Sequence, residues 1–515
     1  MKKILFSFLV FILAVVLLSS GNILAQEQQE GGDLRIAIGA DPESLDPVLA
    51  SSSPAAMVMV HMMETLFEMT PEGDIVPLLA EDYSVSEDGL TYELYLREDV
   101  NFHDGEPFNA EAVKFNLERL IKDEAVFSFL INKITEIEVV DEYTISLTTD
   151  EPFAPILAHL SHDFISMISP ASVEEYGDDV GSNPVGTGKF KFDGWSRGES
   201  VIMSRNDDYW GEPAHLDTVR ILVVPEESTR VVMLETGEAH AIMNVPPRDV
   251  GRLTENPDIT VENVPSLRTL YVGLHAQKEP FDDIRVRKAV NYAVDTESLV
   301  ENILDGAGRP SDAPISPDIF GYSEQEIYEY NPDRAQELLA EAGYEDGLEL
   351  EFYYPVGRYP MDNIIAQAVQ SQLAEVGIEA EMTTMEWATY LEVINAEPDE
   401  SPHDMYLLGW GTVTGDADYG LYALLHSGEW APDGSNRSFY GNSEVDELLE
   451  EARVETDTEE RKALYADAIE LIWDDAPWIF LHSISQINAV RNDVEGLVHH
   501  PRESILAHEA YFIDE

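Results

Sequence analysis

Polar and apolar residues alternate along 91–97, where Tyr92, Leu94 and Leu96 oppose Thr91, Glu93 and Tyr95, the period of a half-buried strand. Residues 84–86 read as the facing edge of a hairpin closed at Asp88-Gly89. A second Asp-Gly turn, Asp104-Gly105, leads to Asn109, which caps a predicted helix with Glu111 and Ala112 in its first turn and Val113, Phe115, Asn116 and Leu117 behind them. Further on, Leu348, Leu350, Phe352 and Tyr354 alternate. Ile364, Ile365, Ala368, Val369, Leu373 and Val376 then recur at helical spacing up to Gly377, and a second strand begins at Ile378. Strand, helix, strand predicts a parallel pair joined by a right-handed crossover. Just upstream, Asn331-Pro332 opens a short helix that ends at Gly343. The remainder is strand-rich: 190–192 and 200–204 joined by a turn, then 218–224, with one further helix predicted over 286–304.

The first 25 residues read as an export signal: Lys2 and Lys3, an apolar run over 4–18, and a small-residue cleavage site at Ala25 before Gln26. That run is short for a membrane anchor, which needs roughly 20 apolar residues. The chain has no cysteine, which removes a lipid-bearing thiol, a disulfide framework and thiolate chemistry together. The expectation is a periplasmic protein exported through a cleaved signal, without a lipid anchor. Thirty Lys+Arg face 100 Asp+Glu, a formal charge of −70, with 44% hydrophobic residues. Disorder does not fit that hydrophobic content, and the acidic shell reads as an adaptation to high salt, which screens self-repulsion. Nucleic acid and anionic membrane partners are excluded for want of a basic patch.

A secreted hydrolase is the rival class, because Gly194-Trp195-Ser196-Arg197-Gly198 matches the nucleophile-elbow pattern. Its flanks alternate like two strands, so Ser196 belongs to a hairpin turn with no helix behind it. His159 with His162 and His499 with His500 lack the spacing of a zinc hydrolase, and Asp416 with Asp418 lacks the glycine and distal glutamate of a calcium loop. No catalytic residue, metal or cofactor is assigned.

A binding cleft has a better physical basis. In α/β lobes ligands gather beyond the carboxyl ends of strands, and the loop 355–360 occupies such an end. It carries Arg358 beside Tyr359, a guanidinium able to hold a carboxylate bidentately or to pair with one of the chain's own acids. The stretch 408–419 adds Gly411, Thr412, Trp410 and Tyr419 as close-approach and flat surfaces, with Asp416 and Asp418 as candidate partners for an ammonium; Trp410 equally suits packing. Near the N-terminus, Glu43, Ser44 and Ser52 lie in a proline-bounded extended path whose polar groups suit a peptide backbone or a structural crossing.

Several phrases in order resemble one family across practically the whole mature chain. They are Val100 to Gly105 (VNFHDG), Val185 to Trp195 (VGTGKFKFDGW), Asn206 to Gly211 (NDDYWG) and Asp283 to Asp295 (DIRVRKAVNYAVD). This wording is similar to the family 5 extracellular solute-binding proteins of ABC importers, the receptors for dipeptides, oligopeptides, glutathione and nickel complexes. The resemblance implies an α/β, periplasmic binding protein-like fold (type II, with an extra domain) whose two lobes close over a cleft. It implies a discontinuous first domain (26–65, 186–272, 483–515), an inserted second domain (66–185) and an α/β third domain (273–482). It implies a monomer that captures a small peptide and delivers it to an inner-membrane permease with its ATPase subunits; an oligosaccharide or nickel chelate is the alternative ligand. On the same resemblance, 357–362 (GRYPMD) is the loop whose arginine, here Arg358, takes the ligand's terminal carboxylate. The aspartate that holds an α-amine in dipeptide-binding relatives aligns with Val413, and the TGDAD wording of 414–418 looks like the glutathione-binding branch.

Overall fold

Two long antiparallel strands, Ile259–Leu274 and Trp478–Arg491, form the spine of an eleven-stranded mixed sheet. The computed structural model describes residues 28–122, 125–356 and 358–513; the export signal expected over 1–25 lies outside them. On one flank of the spine lie Ala241–Ile242, Asp33–Ile38, Thr218–Val223, Ser200–Arg205 and Phe190–Ser196; on the other lie Met405–Gly411, Leu348–Pro355 and Ile378–Met385. Apolar side chains gather accordingly. One set of clusters draws on residues around 34–63, 164–259 and 487–510, another almost wholly on 267–484. A separate cluster from 48–167 packs under a four-stranded antiparallel sheet, in the order Ala80–Val85, Thr91–Leu96, Thr144–Thr149, Ile134–Asp141. No helix of the described residues is long and apolar enough to cross a membrane.

The elements follow from local chemistry. Tyr92, Leu94 and Leu96 are buried, as their alternation requires. At the hairpin's end Gly89 has φ +71, and Asp88 accepts hydrogen bonds from the Ser86 hydroxyl and the Leu90 amide at 2.6 and 3.2 Å. Asn109 Oδ1 accepts from the Ala112 amide at 3.0 Å and starts the helix Ala110–Lys122. Strands Leu348–Pro355 and Ile378–Met385 are parallel, Leu348 opposite Ile378, with the helix Asp362–Glu375 between them. Residues 286–304 depart from the single helix expected. They form parts of two, Ile284–Tyr292 and Thr296–Asn302, because the Asp295 carboxylate accepts the Ser298 amide at 3.0 Å and caps a new start. Ser196 ends a strand paired with Ser200–Arg205, and Arg197 lies over the Trp195 ring; no helix follows to make an elbow.

Candidate functional site

Strands Leu348–Pro355 and Met405–Gly411 run parallel, and their carboxyl ends open into a cavity of about 370 Å³, a size suited to a small ligand. Asp362 shapes the loop between the first strand and its helix. Its buried carboxylate accepts the Arg358 and Tyr359 amides at 2.8 and 3.1 Å. The neighbouring acid is thereby spent on main chain, and Arg358 forms no ion pair among the described residues. Its guanidinium lies 5.2 Å from the Tyr359 ring centre and 5.0 Å from that of Trp387, within cation–π range. Tyr359 is buried and donates to the Gly409 carbonyl at 3.1 Å. A Cβ on Gly409 would stand 2.7 Å from that ring, so this position needs glycine. Burial raises the Tyr359 phenol's pKa, opposed by the charges of three guanidinium groups, Arg358, Arg268 and Arg437.

Of the other expected residues, Ser52, Trp410, Gly411 and Tyr419 also line the cavity. Trp410 donates to the Tyr419 carbonyl at 3.0 Å, and Tyr419 stacks on Phe129 across the cleft at 5.8 Å. Five expected residues do not line it. Thr412 is buried against Gly420. Asp416 is held bidentately by Arg461, both contacts at 2.7 Å. Asp418 sits 2.9 Å from Arg453; burial pushes its carboxyl up and Arg453 opposes the shift. Neither acid lines the cavity, and each is engaged by an arginine. Glu43 accepts the amides and hydroxyls of Ser51 and Ser52, while the buried Ser44 hydroxyl accepts the Asp46 amide. Burial alone would raise the Glu43 carboxyl, but these hydrogen bonds hold it below its ordinary value. Glu43 and Ser44 therefore shape the turn that presents Ser51, Ser52 and Ser53, and Ser52 also caps the helix Ser53–Met62.

Three lining arginines escaped the sequence reading: Arg268, Arg437 and Arg502. A usable signal was present, since each is a rare cation in a chain with 100 acids. Arg502 is fully engaged. It donates to the Ser161 carbonyl and hydroxyl at 2.6 and 2.8 Å, to the Val413 carbonyl at 2.8 Å, and approaches Asp163 at 3.3 Å. Burial and the Arg502 charge hold His162, another lining residue, neutral well below its ordinary pKa. Arg268 approaches Glu503 at 3.5 Å. The lining residues comprise four arginines and a single acid, Asp163, together with the flat faces of Phe127, Trp387 and Trp410.

This is the fold of the periplasmic binding proteins. The chain superposes on HbpA2 from Haemophilus parasuis with a TM-score of 0.87 at 26% identity, covering 93% of this chain and 100% of that one. It superposes on the periplasmic binding protein DppA from Helicobacter pylori, in complex with the peptide STSA, with a TM-score of 0.77 at 30% identity, covering 94% and 99%. In sequence it is similar to the glutathione-binding protein GsiB of Salmonella typhi, 34% identical over 469 residues, 90% of this chain and 91% of that one. Residues 74–432 match the family described as bacterial extracellular solute-binding proteins, family 5 Middle. The chain belongs to the family 5 extracellular solute-binding proteins.

Proposed function

We propose that the protein is the periplasmic receptor of an ABC importer, that it captures a small carboxylate-bearing peptide of the glutathione or di- to oligopeptide kind, and that it delivers this ligand to an inner-membrane permease driven by ATPase subunits. The observation that carries the reading is Arg358, a guanidinium beyond the ends of parallel strands, laid over two aromatic rings and without a carboxylate partner among the described residues. The two lobes comprise residues 26–65, 186–272 and 483–515 with the inserted 66–185 on one side, and 273–482 on the other; the separate apolar clusters support this division. Closure is stabilised only by a ligand that touches both lobes. Contacts already crossing between them include the Phe129–Tyr419 stack and the Ala154 amide on the Arg453 carbonyl at 2.7 Å.

Arg358 is exposed without ligand, and replacing it by alanine is expected to weaken a free-acid peptide by about 2 to 5 kcal/mol in titration calorimetry if the bound charge pair is buried between the lobes. Unchanged affinity would remove Arg358 from the site, and tight binding of neutral sugars indifferent to the substitution would overturn the peptide reading. Residues 1–25 serve as the cleaved export signal, and N-terminal sequencing of the secreted protein should begin at Gln26. The acidic surface suits high salt, so a thermal midpoint that did not rise with KCl would contradict that adaptation.

A further inference from the structure

Resting on the receptor reading above, we propose that the cleft holds a second anionic subsite centred on Arg437, and that the ligand is a small peptide bearing at least two carboxylates. Arg437 is only 9% exposed, yet it lines the cavity. Its Nε donates to Asn395 Oδ1 at 2.7 Å and its Nη1 to the Ser435 carbonyl at 3.0 Å, both neutral acceptors. Among the described residues Nη2 has no acceptor and Arg437 forms no ion pair. Its charge acts on the phenols of Tyr271, Tyr359, Tyr390 and Tyr406 and on the imidazole of His403. Burial keeps all five uncharged at neutral pH: the phenols are raised, and the imidazole is lowered to about 3.

A buried guanidinium without a counter-charge is costly, and this chain does not lack acids. Arg119, Arg453 and Arg461 are each paired, with Asp46, Asp418 and Asp416. Two other buried arginines without an ion pair are served differently. Arg230 spends its donors on four carbonyls, and Arg287 feels the charges of Asp475, Asp283 and Asp282; neither lines the cavity. Arg437 is thus a deeply buried cation on the cavity wall with no counter-charge among the described residues. Arg358 and Arg437 both line the same cavity, so two guanidinium groups without an ion pair among the described residues border a single small volume. Arg268, shared with Glu503, borders the same volume. A mono-anion paired with the exposed Arg358 leaves Arg437 buried and unpaired; a dianion neutralises both.

The test compares Ala-Glu with its isosteric amide Ala-Gln by titration calorimetry at fixed salt. The unmodified protein is expected to bind Ala-Glu more tightly on the order of tenfold. Arg437→Gln should abolish that preference while leaving Ala-Gln affinity nearly unchanged, whereas Arg358→Ala should weaken both peptides. Arg437→Lys, which keeps the charge, should retain part of the preference if Arg437→Gln fails to fold. Equal binding of the two peptides by the unmodified protein would overturn the second subsite and leave the receptor reading standing. Binding of neither, nor of any other free-acid peptide, would overturn both. Succinate and glutarate bound as tightly as Ala-Glu would support the subsite but assign it to dicarboxylates without a peptide bond.

Discussion

Replacing Asp416 by alanine is expected to destabilise the protein by about 3 to 5 kcal/mol, because it leaves a buried guanidinium uncompensated. Arg461 meets Asp416 in a two-pronged contact, with both atom pairs at 2.7 Å and side chains 8% and 4% exposed. The same carboxylate accepts the Asp418 amide at 3.0 Å, which fixes the turn leading to Tyr419. Removing both partners together, in Asp416→Ala with Arg461→Met, should cost less than the two single losses combined, since no charge is then stranded. Urea unfolding of the four proteins measures this. A loss below about 1 kcal/mol, the range of surface pairs, would contradict the geometry. Calorimetry on the folded single variant separates the structural role from a binding one: an ammonium-binding Asp416 would take ligand affinity with it, whereas the ion pair with Arg461 predicts nearly unchanged affinity.

Acidification from pH 7 to 5 is expected to remove about 6 kcal/mol of stability through three buried histidines. Burial, with the neighbouring His508, lowers His61 to about 3; burial, with His275, lowers His403 to about 3; burial lowers His482 to about 4. His61 shows why. Its Nδ1–H donates to the Met57 carbonyl at 2.9 Å while Nε2 accepts the Ala507 amide at 3.1 Å, and a second ring proton would put two N–H groups face to face. In the unfolded chain each imidazole takes a proton near its ordinary value of 6.5, so the unfolded state binds more protons between there and the folded value. Stability contributed by these neutral rings is therefore fully present above pH 6.5, declines as pH falls, and is gone below the folded values. At pH 5 each ring contributes about 2 kcal/mol to the loss. Urea midpoints in molar KCl, which screens the surface carboxylates, should fall steadily across this window. A midpoint that held or rose from pH 7 to 5 would contradict the burial of these rings in neutral form.

The hairpin at 80–96 and the strand–helix–strand unit at 348–385 were legible because each side chain's fate there depends on near neighbours: period, turn residue and cap all act within a few positions. The same locality explains Arg358 and Tyr359, whose loop is held by Asp362 close by in sequence. Locality also explains the misread helix, where Asp295 satisfied an amide that an uninterrupted helix would have used. What stayed hidden was settled at long range. Asp416 looked available to a ligand until the fold brought Arg461 to it from 45 positions away. Arg502 reaches Ser161 across 341 positions, a contact that no periodicity encodes. Arg437 carried only the signal of a rare cation, since its place on the cavity wall depends on segments as distant as 51–53 and Arg268 lining the same space.

The central claim, that the free guanidinium groups of the cleft bind a ligand carboxylate, is tested most directly by thermal unfolding of the signal-free protein in molar KCl with free-acid peptides and with the same peptides amidated at their carboxylates. At 100 times the dissociation constant a bound ligand adds about 2.7 kcal/mol, so free-acid peptides should raise the midpoint by about 2 degrees or more, and amidation should abolish the rise. Equal stabilisation by the amidated peptides, or stabilisation by neutral sugars alone, would contradict it.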